Sequence, residues 1–513
     1  MNTAKNLKPD TYHKILRRHP KTKGELFTKS EVISAIRHFS PSKTLIAKLQ
    51  MKPIRTLSGV VPITLLTKPY PCPGKCIFCP DDHKMPKSYL SKEPGAQRAA
   101  ANRFDPYRQV YTRLETYYAN GHFTDKVELI ILGGTWSAYP ENYQIWFIKR
   151  CFDALNFFDK DRPCQSVSFQ FTGVSTWSQL KKAQLKNETA NTRCVGLSLE
   201  TRPDFITESE LIKLRRLGCT KVQLGLQSLS DNILKLNLRG HTTKTSKQAV
   251  KLLRLFGFKI QAHWMANLYG SSPTKDKADF QKLFSSPDYR PDELKIYPTA
   301  LLATAKLMDF YQKKLWKPYS NQQLLSLMTY ILPKVPQYCR VSRMIRDFSS
   351  QDIIAGSKTS NLRQLIEPKA KNIQEIRFRE IRQQTVSLKS LKLNTITYQT
   401  SVGQEKFIQF VTPKNQIAGF LRLSLPVVTP VIKELKSSAL IRELHIYGQA
   451  LRLGAKAKTQ HLGLGTKLIN QAQAISNKNH YSKLSVISSI GTKEYYRSRG
   501  FTDGRLYQHL KVD

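Results

Sequence analysis

Three cysteines near the start of the chain have a spacing that can hold a metal cluster. Cys72, Cys76 and Cys79 stand in the segment CPGKCIFCP, with the pattern C-x3-C-x2-C. Three thiolates on one short loop can bind three irons of a 4Fe–4S cube, which leaves the fourth iron open for another ligand. A structural zinc site with His83 as the fourth ligand is the alternative, because zinc prefers four protein ligands.

The composition indicates a folded chain with an anionic partner. The 513 residues include 82 Lys and Arg against 37 Asp and Glu, a formal net charge of +45. Such a surplus is typical of proteins that bind nucleic acid. Residues 1–55 hold nine Lys and four Arg against three acidic residues and predict a basic helical region. Since no apolar run reaches about 18 residues, we expect a cytoplasmic protein that makes no membrane contact.

The elements that must position the cysteines follow an alternating pattern from about residue 56 to residue 335. Apolar, β-branched runs alternate with amphipathic stretches, which predicts a parallel α/β sheet in a full or partial (β/α) barrel. Strands are expected at 60–66, 127–132, 166–171, 194–199, 221–226, 259–263 and 293–297, and helices at 96–120, 142–155, 209–217, 244–256 and 275–283. The cysteine loop follows the first strand and therefore belongs to the carboxyl face, where such folds carry their sites.

Polar residues and glycines end several of these strands. Each alone is typical of an ordinary strand-to-helix loop, but together they predict a site at one face. They are Gly133 and Gly134 after the second strand, Ser198, Glu200, Thr201 and Arg202 at a later strand, and Gln223 and Gln227 at the next.

The last part of the chain has a different pattern. We assign residues 336–385 to an Arg-rich linker and residues 386–513 to an α+β domain, with strands at 407–411, 417–423, 439–447 and 484–487 and helices at 465–476 and 492–498. The segment QHLGLG at 460–465 and the Tyr-x3-Gly-Phe ending at Tyr496 resemble the GNAT acetyltransferases. Their loop amides and helix N-terminus bind the pyrophosphate of coenzyme A. A glycine-rich loop beside a core tyrosine is the alternative.

Taken as a whole, the sequence closely resembles the catalytic subunit of Elongator in its single-chain bacterial form. This family joins a radical S-adenosylmethionine (SAM) barrel to a GNAT domain. The resemblance rests on RTLSGV at 55–60, CPGKCIFCP, SYLSKEPGAQRA at 88–99, RFDPY at 103–107, DKVELIILGGTW at 125–136, LETRPD at 199–204, LNLRGHT at 236–242, LKIYPT at 294–299, RELHIYG at 442–448, QHLGLG, and IGTKEYYRSRGF at 490–501.

The resemblance implies an enzyme that builds a carboxymethyl group on carbon 5 of the wobble uridine of tRNA from acetyl-CoA. A SAM-derived 5′-deoxyadenosyl radical would activate the acetyl group, and an electron donor would reduce the cluster. It implies cluster ligation by Cys72, Cys76 and Cys79, and SAM contacts from Gly133, Gly134 and Glu200. Acetyl-CoA contacts are implied for Lys126, Glu443, Leu444, His445, Ile446, Leu464, Gly465, Thr466, Lys467 and Tyr496, the last also as a catalytic residue, with Tyr495 as its alternative.

Some positions depart from the family pattern. Ile373, Glu375 and Phe378 stand where relatives carry zinc-binding cysteines, so we expect no zinc in the linker. Gln223 and Asn267, which follows Ala266, replace residues that are often acidic in relatives. Two other functions therefore stay open: a conventional lysine acetyltransferase with a structural cluster, and a non-catalytic tRNA-binding homologue.

Overall fold

The computed structural model describes residues 9–22, 24–39, 42–56, 58–164, 174–359, 361–382, 384, 386–447 and 463–512. Two seven-stranded sheets organise most of these residues. The predicted strand at 166–171 lies outside the described residues. The strands of the first sheet, in their spatial order, are β1 (Val61–Leu66), β2 (Lys126–Leu132), β3 (Arg193–Thr201), β4 (Lys221–Gln227), β5 (Lys259–Ala266), β6 (Glu293–Pro298) and β8 (Arg340–Arg343).

Every neighbouring pair in the first sheet is parallel, which gives a half-barrel. The apolar runs are almost wholly buried because helices cover the outer face of the sheet. The strands expected from the sequence are confirmed wherever residues are described. Strand β8 lies in the segment that we assigned to the linker. Its sequence, RVSR, is too short and too polar to read as a buried strand, yet Arg340 pairs with Glu293 of β6.

The helices of the half-barrel lie between its strands. The helix expected at 96–120 is two helices, because Asp105 caps the second one by accepting a hydrogen bond from the amide of Arg108 at 2.8 Å and Pro106 begins it. The helices of this part are α4 (Pro94–Ala101), α5 (Pro106–Ala119), α6 (Glu141–Phe157), α7 (Trp177–Asn187), α8 (Glu208–Arg216), α9 (Asp231–Leu236), α10 (Thr243–Leu255), α11 (Pro273–Ser285), α12 (Leu307–Gln312), α13 (Asn321–Ile331), α14 (Leu362–Ile366) and α15 (Ile376–Arg379). A small ribbon joins β7 (Leu301–Leu302) to β9 (Ile353–Ala355).

The second sheet confirms a sheet-rich C-terminal region. Its spatial order is β10 (Lys392–Thr400), β11 (Gly403–Val411), β12 (Ile417–Pro426), β13 (Ser438–Ile446), β14 (Lys483–Val486), β16 (Gln508–Lys511) and β15 (Thr502–Asp503), with helices α16 (Leu464–Lys478) and α17 (Lys493–Arg497). Only β13 and β14 run parallel, and they pair from Ser438 to Ile441 alone. Beyond Ile441 no pairing joins β13 to β14 in the described chain, which opens a gap between them.

The two sheets share one apolar core. The largest cluster of buried apolar side chains runs from Val61 in β1 and Leu224 in β4 to Phe407 in β11 and Tyr507 near the C-terminus. Tyr507 donates a hydrogen bond from its hydroxyl to the carbonyl of Phe256 at 2.9 Å. The half-barrel and the second sheet are therefore packed as one body.

The N-terminal residues form a small helical layer, as the sequence predicts. Its helices are α1 (Pro9–Arg18), α2 (Lys29–Phe39) and α3 (Lys43–Leu49). Tyr12, Ile33 and Leu49 belong to an apolar cluster of their own, and Arg37 stacks 3.6 Å from the centre of the Tyr118 ring. No helix in the described ranges is long and apolar enough to cross a membrane.

Candidate functional site

The cysteine loop follows β1 at the carboxyl face of the half-barrel. Backbone hydrogen bonds fix the centre of the loop. The amide of Ile77 donates to the carbonyl of Asn237 at 3.3 Å, and the carbonyl of Ile77 accepts from the amide of Leu307 at 2.8 Å. The five remaining cysteines are buried elsewhere in the described chain. The three loop thiols are thus held at the edge where a site was expected.

The three sulfur atoms have different surroundings. Cys72 Sγ lies 3.8 Å from Thr135 Oγ1 and accepts from the amide of Gly74 at 3.4 Å. Arg239 Nη1 lies 3.6 Å from Cys76 Sγ. The Cys79 thiol beside it, followed by the Arg239 and Arg202 guanidiniums, holds the pKa of Cys76 well below its usual range although burial opposes this. The lowered pKa favours the thiolate form of Cys76, which is the form that binds metals.

The surroundings of this loop fit a bound anionic cluster. Within the part of the chain that the structure describes, the buried atoms Arg202 Nη1 and Arg239 Nε have no hydrogen-bond partner. A β-carbon at position 74 would lie 2.3 Å from Arg202 Nη1, so the glycine lets this cation approach the loop closely. Two buried cations with unused donors beside three thiols match the charge of a thiolate-ligated iron–sulfur cube.

A single metal ion fits the loop less well. In the described segments, no group of three His, Cys, Asp or Glu side chains is close enough to hold one ion. His83, the alternative fourth zinc ligand, is exposed to solvent. An iron–sulfur cube does not require the three sulfur atoms to converge on a single ion, because each thiolate binds a different iron.

A cavity of about 310 Å³, here called the mouth cavity, extends from this loop through the interior of the half-barrel. Cys79 and Gln227 line its outer end, and Glu128 and Lys221 line its inner end. Glu200, a predicted SAM contact, lies between them. Its carboxylate accepts from Tyr89 Oη at 3.3 Å and lies 3.6 Å from His263 Nδ1.

The two predicted glycines stand beside this cavity and do not line it. Gly133 and Gly134 have φ angles of 143° and 88°, in the region that favours glycine. A β-carbon at position 133 would lie 1.8 Å from Thr67 Oγ1. These glycines lead directly into Thr135, the neighbour of Cys72, so they shape the backbone next to the cysteine loop.

The substitutions that depart from the family pattern have local partners. Gln223 donates to Ser198 Oγ at 2.9 Å, and its carbonyl accepts from Lys295. Burial lowers the pKa of Lys295 to about 8. Asn267 accepts from the amide of Tyr319 at 2.7 Å and does not line the mouth cavity. The amide of Gln223 therefore occupies the place of an acidic residue beside a lysine.

The linker positions have partners of a different kind. Glu375 is buried and accepts from the amide of Val341 at 2.9 Å and from the guanidinium of Arg363. Ile373 is buried among apolar residues, and Phe378 is exposed. An ion pair and apolar packing thus stand at these positions, and the absence of linker zinc stays a prediction.

A second cavity of about 250 Å³ lies between the half-barrel and the second sheet, and we call it the interface cavity. It occupies the gap where β13 and β14 diverge, at the carboxyl ends of this parallel pair, which is where such pairs bind ligands. Among the predicted acetyl-CoA contacts, it is lined by Glu443, Leu444, His445 and Tyr496. The amino ends of β2, β4, β5 and β6 form its opposite side.

Charged and aromatic neighbours fix these side chains. Glu443 accepts from Lys259 Nζ at 2.5 Å and from Arg422 Nε at 2.7 Å. These cations hold the pKa of Glu443 below its usual range although burial would raise it. Burial lowers the pKa of His445 to about 4, so the imidazole between Phe420 and Tyr447 is neutral.

The other predicted acetyl-CoA residues do not line the interface cavity. Leu464, Gly465, Thr466 and Lys467 form the first turn of α16, behind Gly463 with its φ of 86°. Tyr495 does not line the cavity, and a β-carbon at position 465 would lie 2.2 Å from its hydroxyl. Ile446 ends β13 and Lys126 begins β2. Positions 460–462 of the QHLGLG segment lie outside the described residues.

The position of Lys126 has a structural reason that the sequence does not give. It is the first residue of β2, so it lies at the opposite end from the cysteine loop. The interface cavity is at that same end, since Glu128, two residues further along β2, lines it. A predicted acetyl-CoA contact at the amino end of a barrel strand is therefore consistent with the fold.

Several residues of the site could not be assigned a role from the sequence. Arg239 of LNLRGHT lies beside Cys76, and Lys295 of LKIYPT lines the mouth cavity. The wall between the cavities was not anticipated, because its members come from separate strands. Four charged residues face both cavities: Glu128, Lys221, Glu293 and Arg340.

Comparison with sequence families agrees with this architecture. The Radical SAM superfamily profile matches residues 70–272, and the Radical SAM C-terminal domain profile matches residues 291–372. The second match includes β8, which is the last strand of the half-barrel sheet.

Full-length relatives and one solved structure are similar to nearly the whole chain. The tRNA uridine(34) acetyltransferase of Dehalococcoides mccartyi is 39% identical over 89% of this chain and 99% of its own length. The human Elongator complex protein 3 is 32% identical over 90% of this chain and 85% of its own. The structure of Methanocaldococcus infernus Elp3 with an N-terminal deletion has a TM-score of 0.74 and 34% identity, and covers 88% of this chain and 99% of that one. The chain therefore belongs to the radical SAM family that comprises the tRNA uridine(34) acetyltransferases and Elongator complex protein 3.

Proposed function

We propose that this protein is an enzyme that attaches a carboxymethyl group to carbon 5 of uridine 34 in tRNA, with acetyl-CoA as the carbon source. Relatives named tRNA uridine(34) acetyltransferase support tRNA as the substrate and the wobble uridine as the modified base. The observation that carries the proposal is the common wall of the two cavities, because it brings a predicted cluster site and a predicted acyl-CoA site into one interior.

The mouth cavity is the proposed radical site. Cys72, Cys76 and Cys79 would hold a 4Fe–4S cluster, which with SAM and an electron donor supplies a 5′-deoxyadenosyl radical when bound. Arg202 and Arg239 offset the negative charge of the thiolates. Gly133, Gly134 and Glu200 are the proposed SAM contacts, and the mouth cavity has room for a base beside them.

The interface cavity is the proposed acetyl-CoA site. The first turn of α16, from Leu464 to Lys467, supplies amides for the pyrophosphate, because helix N-termini attract anions. Glu443, Leu444, His445 and Ile446 of β13 would lie along the pantetheine arm, with Tyr496 opposite and Lys126 nearby. The acyl end then faces the half-barrel, at the residues that line both the interface cavity and the mouth cavity.

A radical route explains why one chain needs both cavities. Carbon 5 of uridine is electron-rich and an acetyl enolate is a nucleophile, so a polar reaction between them is mismatched. The tRNA would bind across the mouth of the half-barrel. The exposed Lys14, Arg17 and Arg18 of α1 would contact phosphates together with the exposed Arg343 and Arg382 of the segment 336–385.

Anaerobic reconstitution tests this function against its two rivals. The protein is reduced with SAM, acetyl-CoA and unmodified tRNA, and 5′-deoxyadenosine, carboxymethyluridine and acetylated protein are quantified by mass spectrometry. We expect the first two products from the intact protein and neither from Cys76→Ser. Protein acetylation that survives Cys76→Ser would favour a lysine acetyltransferase, and tRNA binding without any product would favour a non-catalytic homologue.

A further inference from the structure

The inner wall of the interface cavity contains a short ion pair between two strands that are not neighbours. Glu128 Oε1 on β2 lies 2.5 Å from Lys221 Nζ on β4. Both residues line the interface cavity and the mouth cavity. The pair therefore stands at the boundary between the two chambers.

Gly196 on the intervening strand allows the two side chains to meet. It pairs in register with Glu128, and β3 separates β2 from β4. A β-carbon at position 196 would lie 3.2 Å from Glu128 Cγ, closer than side chains normally approach. The glycine leaves the space through which the carboxylate reaches the ammonium group.

Neighbouring groups favour the charged form of Lys221. Lys221 Nζ lies 3.5 Å from Glu293 Oε2, and Glu293 also contacts Lys259 at 2.7 Å and Gln261 at 2.7 Å. The carboxylates of Glu128 and Glu293 hold the pKa of Lys221 above its usual value although burial would lower it. The boundary is thus an ion pair and not an apolar surface.

The acyl end of a bound thioester would point at this pair. The second-sheet side of the cavity is formed by β13 and by the residues after β14. Helix α16 packs against these two strands. The half-barrel side is formed by the amino ends of its strands, with Glu128 and Lys221 among them. A coenzyme that enters from the second sheet therefore reaches Glu128 and Lys221 with its acyl group.

We propose that the Glu128–Lys221 ion pair determines acyl-chain length, so that the site accepts acetyl and rejects longer apolar acyl groups. This inference rests on the proposed function, since it requires acyl-CoA to occupy the interface cavity. Each added methylene would press against a charged pair that it cannot hydrogen-bond, and would remove water from it without compensation. Acetyl is short enough to stop before this contact.

The test measures the affinity of the full chain for acetyl-, propionyl- and butyryl-CoA by calorimetry, with free CoA as a reference. In the unchanged protein we expect butyryl-CoA to bind about tenfold or more weakly than acetyl-CoA, the scale of a methylene misfit in an enzyme pocket. The double variant Glu128→Ala with Lys221→Ala removes both charges together, and Glu293 keeps Lys259 and Gln261 as partners. In this variant we expect the two dissociation constants to approach each other.

Two control variants separate the pair from general effects. Lys149→Ala with Asp153→Ala removes an ion pair of 2.8 Å on α6 that lines neither cavity, and should keep the preference for acetyl. Lys221→Arg keeps the positive charge and should therefore also keep the preference for acetyl-CoA over butyryl-CoA. Thermal unfolding checks that each variant is folded. If the double variant does not fold, the affinities of Lys221→Met for acetyl-CoA and butyryl-CoA are measured instead.

The possible failures are distinguishable. An unchanged butyryl-to-acetyl ratio in the folded double variant, or no acyl preference in the unchanged protein, overturns the inference and leaves the proposed function intact. Failure of the unchanged protein to bind any acyl-CoA, with or without tRNA, overturns the proposed function together with it.

Discussion

Arg442 of the second sheet binds Asp292 of the half-barrel with both of its terminal nitrogens. Nη1 lies 2.7 Å from Asp292 Oδ2 and Nη2 lies 2.7 Å from Oδ1, and both side chains are fully buried. Glu405 accepts from the same guanidinium at 2.9 Å. The two halves of the molecule are therefore joined by a buried charge network as well as by apolar packing.

Replacement of Arg442 by Met should destabilise the whole chain. Asp292 would be left buried with a weaker partner, Arg422 at 3.5 Å, and breaking a buried pair from one side costs about 3–5 kcal/mol. Urea unfolding followed by fluorescence and circular dichroism should show one transition at lower urea. Lys247→Met, which removes an exposed pair with Asp288, should cost about 1 kcal/mol or less. Equal costs for both variants would contradict a special role of the Arg442 pair.

Tyr496→Phe should impair the use of acetyl-CoA without affecting the cluster. The tyrosine lines the interface cavity, and burial raises the pKa of its hydroxyl, which therefore stays protonated. We expect acetyl-CoA-dependent product to fall about tenfold or more if the hydroxyl takes part in the reaction. Iron and sulfide contents should match the unchanged protein. Tyr495→Phe, outside the cavity, is the control, and loss of iron in Tyr496→Phe would mean a structural role instead.

His445 should make the protein sensitive to acid. Its pKa is lowered from 6.5 to about 4 by burial, so between these values the unfolded chain binds more protons than the folded one. Stability is therefore lost as the pH falls from about 6.5 toward 4, by a few kcal/mol at most. In His445→Phe this loss should be smaller by that amount. The difference in unfolding free energy between the two proteins, measured from about pH 7 to about pH 5, checks the sign. A constant difference would contradict it.

Binding of tRNA should weaken steeply with salt, and α1 should contribute to the slope. If Lys14, Arg17 and Arg18 contact phosphates, their replacement by Gln should reduce the slope of log K against log salt by about 2 to 3. Filter binding between about 50 and about 200 mM salt, a range over which phosphate contacts change affinity strongly, would measure the slope. A matched triple replacement by Gln of the exposed Lys389, Lys392 and Lys436 in the C-terminal region should change the salt slope less. A flat salt dependence of the unchanged protein would contradict the polyanion interpretation.

Periodicity predicted the parallel strands well because apolar residues recur at strand spacing in each of them. Strands β2, β4 and β6 lie where the sequence placed them, and most of the polar residues that alternate with their apolar ones line the mouth cavity. Strand β10 was missed for the opposite reason: most of its residues are exposed, so its pattern resembles a loop. Its place depends on pairing with β11, which a local pattern does not contain.

The site was predicted where its residues are close in sequence and missed where they are not. Cys72, Cys76 and Cys79 share one loop, so their spacing alone points to a cluster. Glu128 and Lys221 are far apart in the chain and meet only because β3 carries a glycine between them. Each of them looks like an ordinary charged residue near the start of a strand, and only the fold shows that they form one wall.

The unbroken apolar core has a consequence for how the protein is made. Apolar side chains of β1 and β4 belong to the same buried cluster as Phe407 and Tyr507, which are translated after the half-barrel. A nascent chain that has formed the half-barrel still exposes part of this apolar core until the second sheet has been synthesised. Chaperone binding is therefore expected to persist until the second sheet has folded.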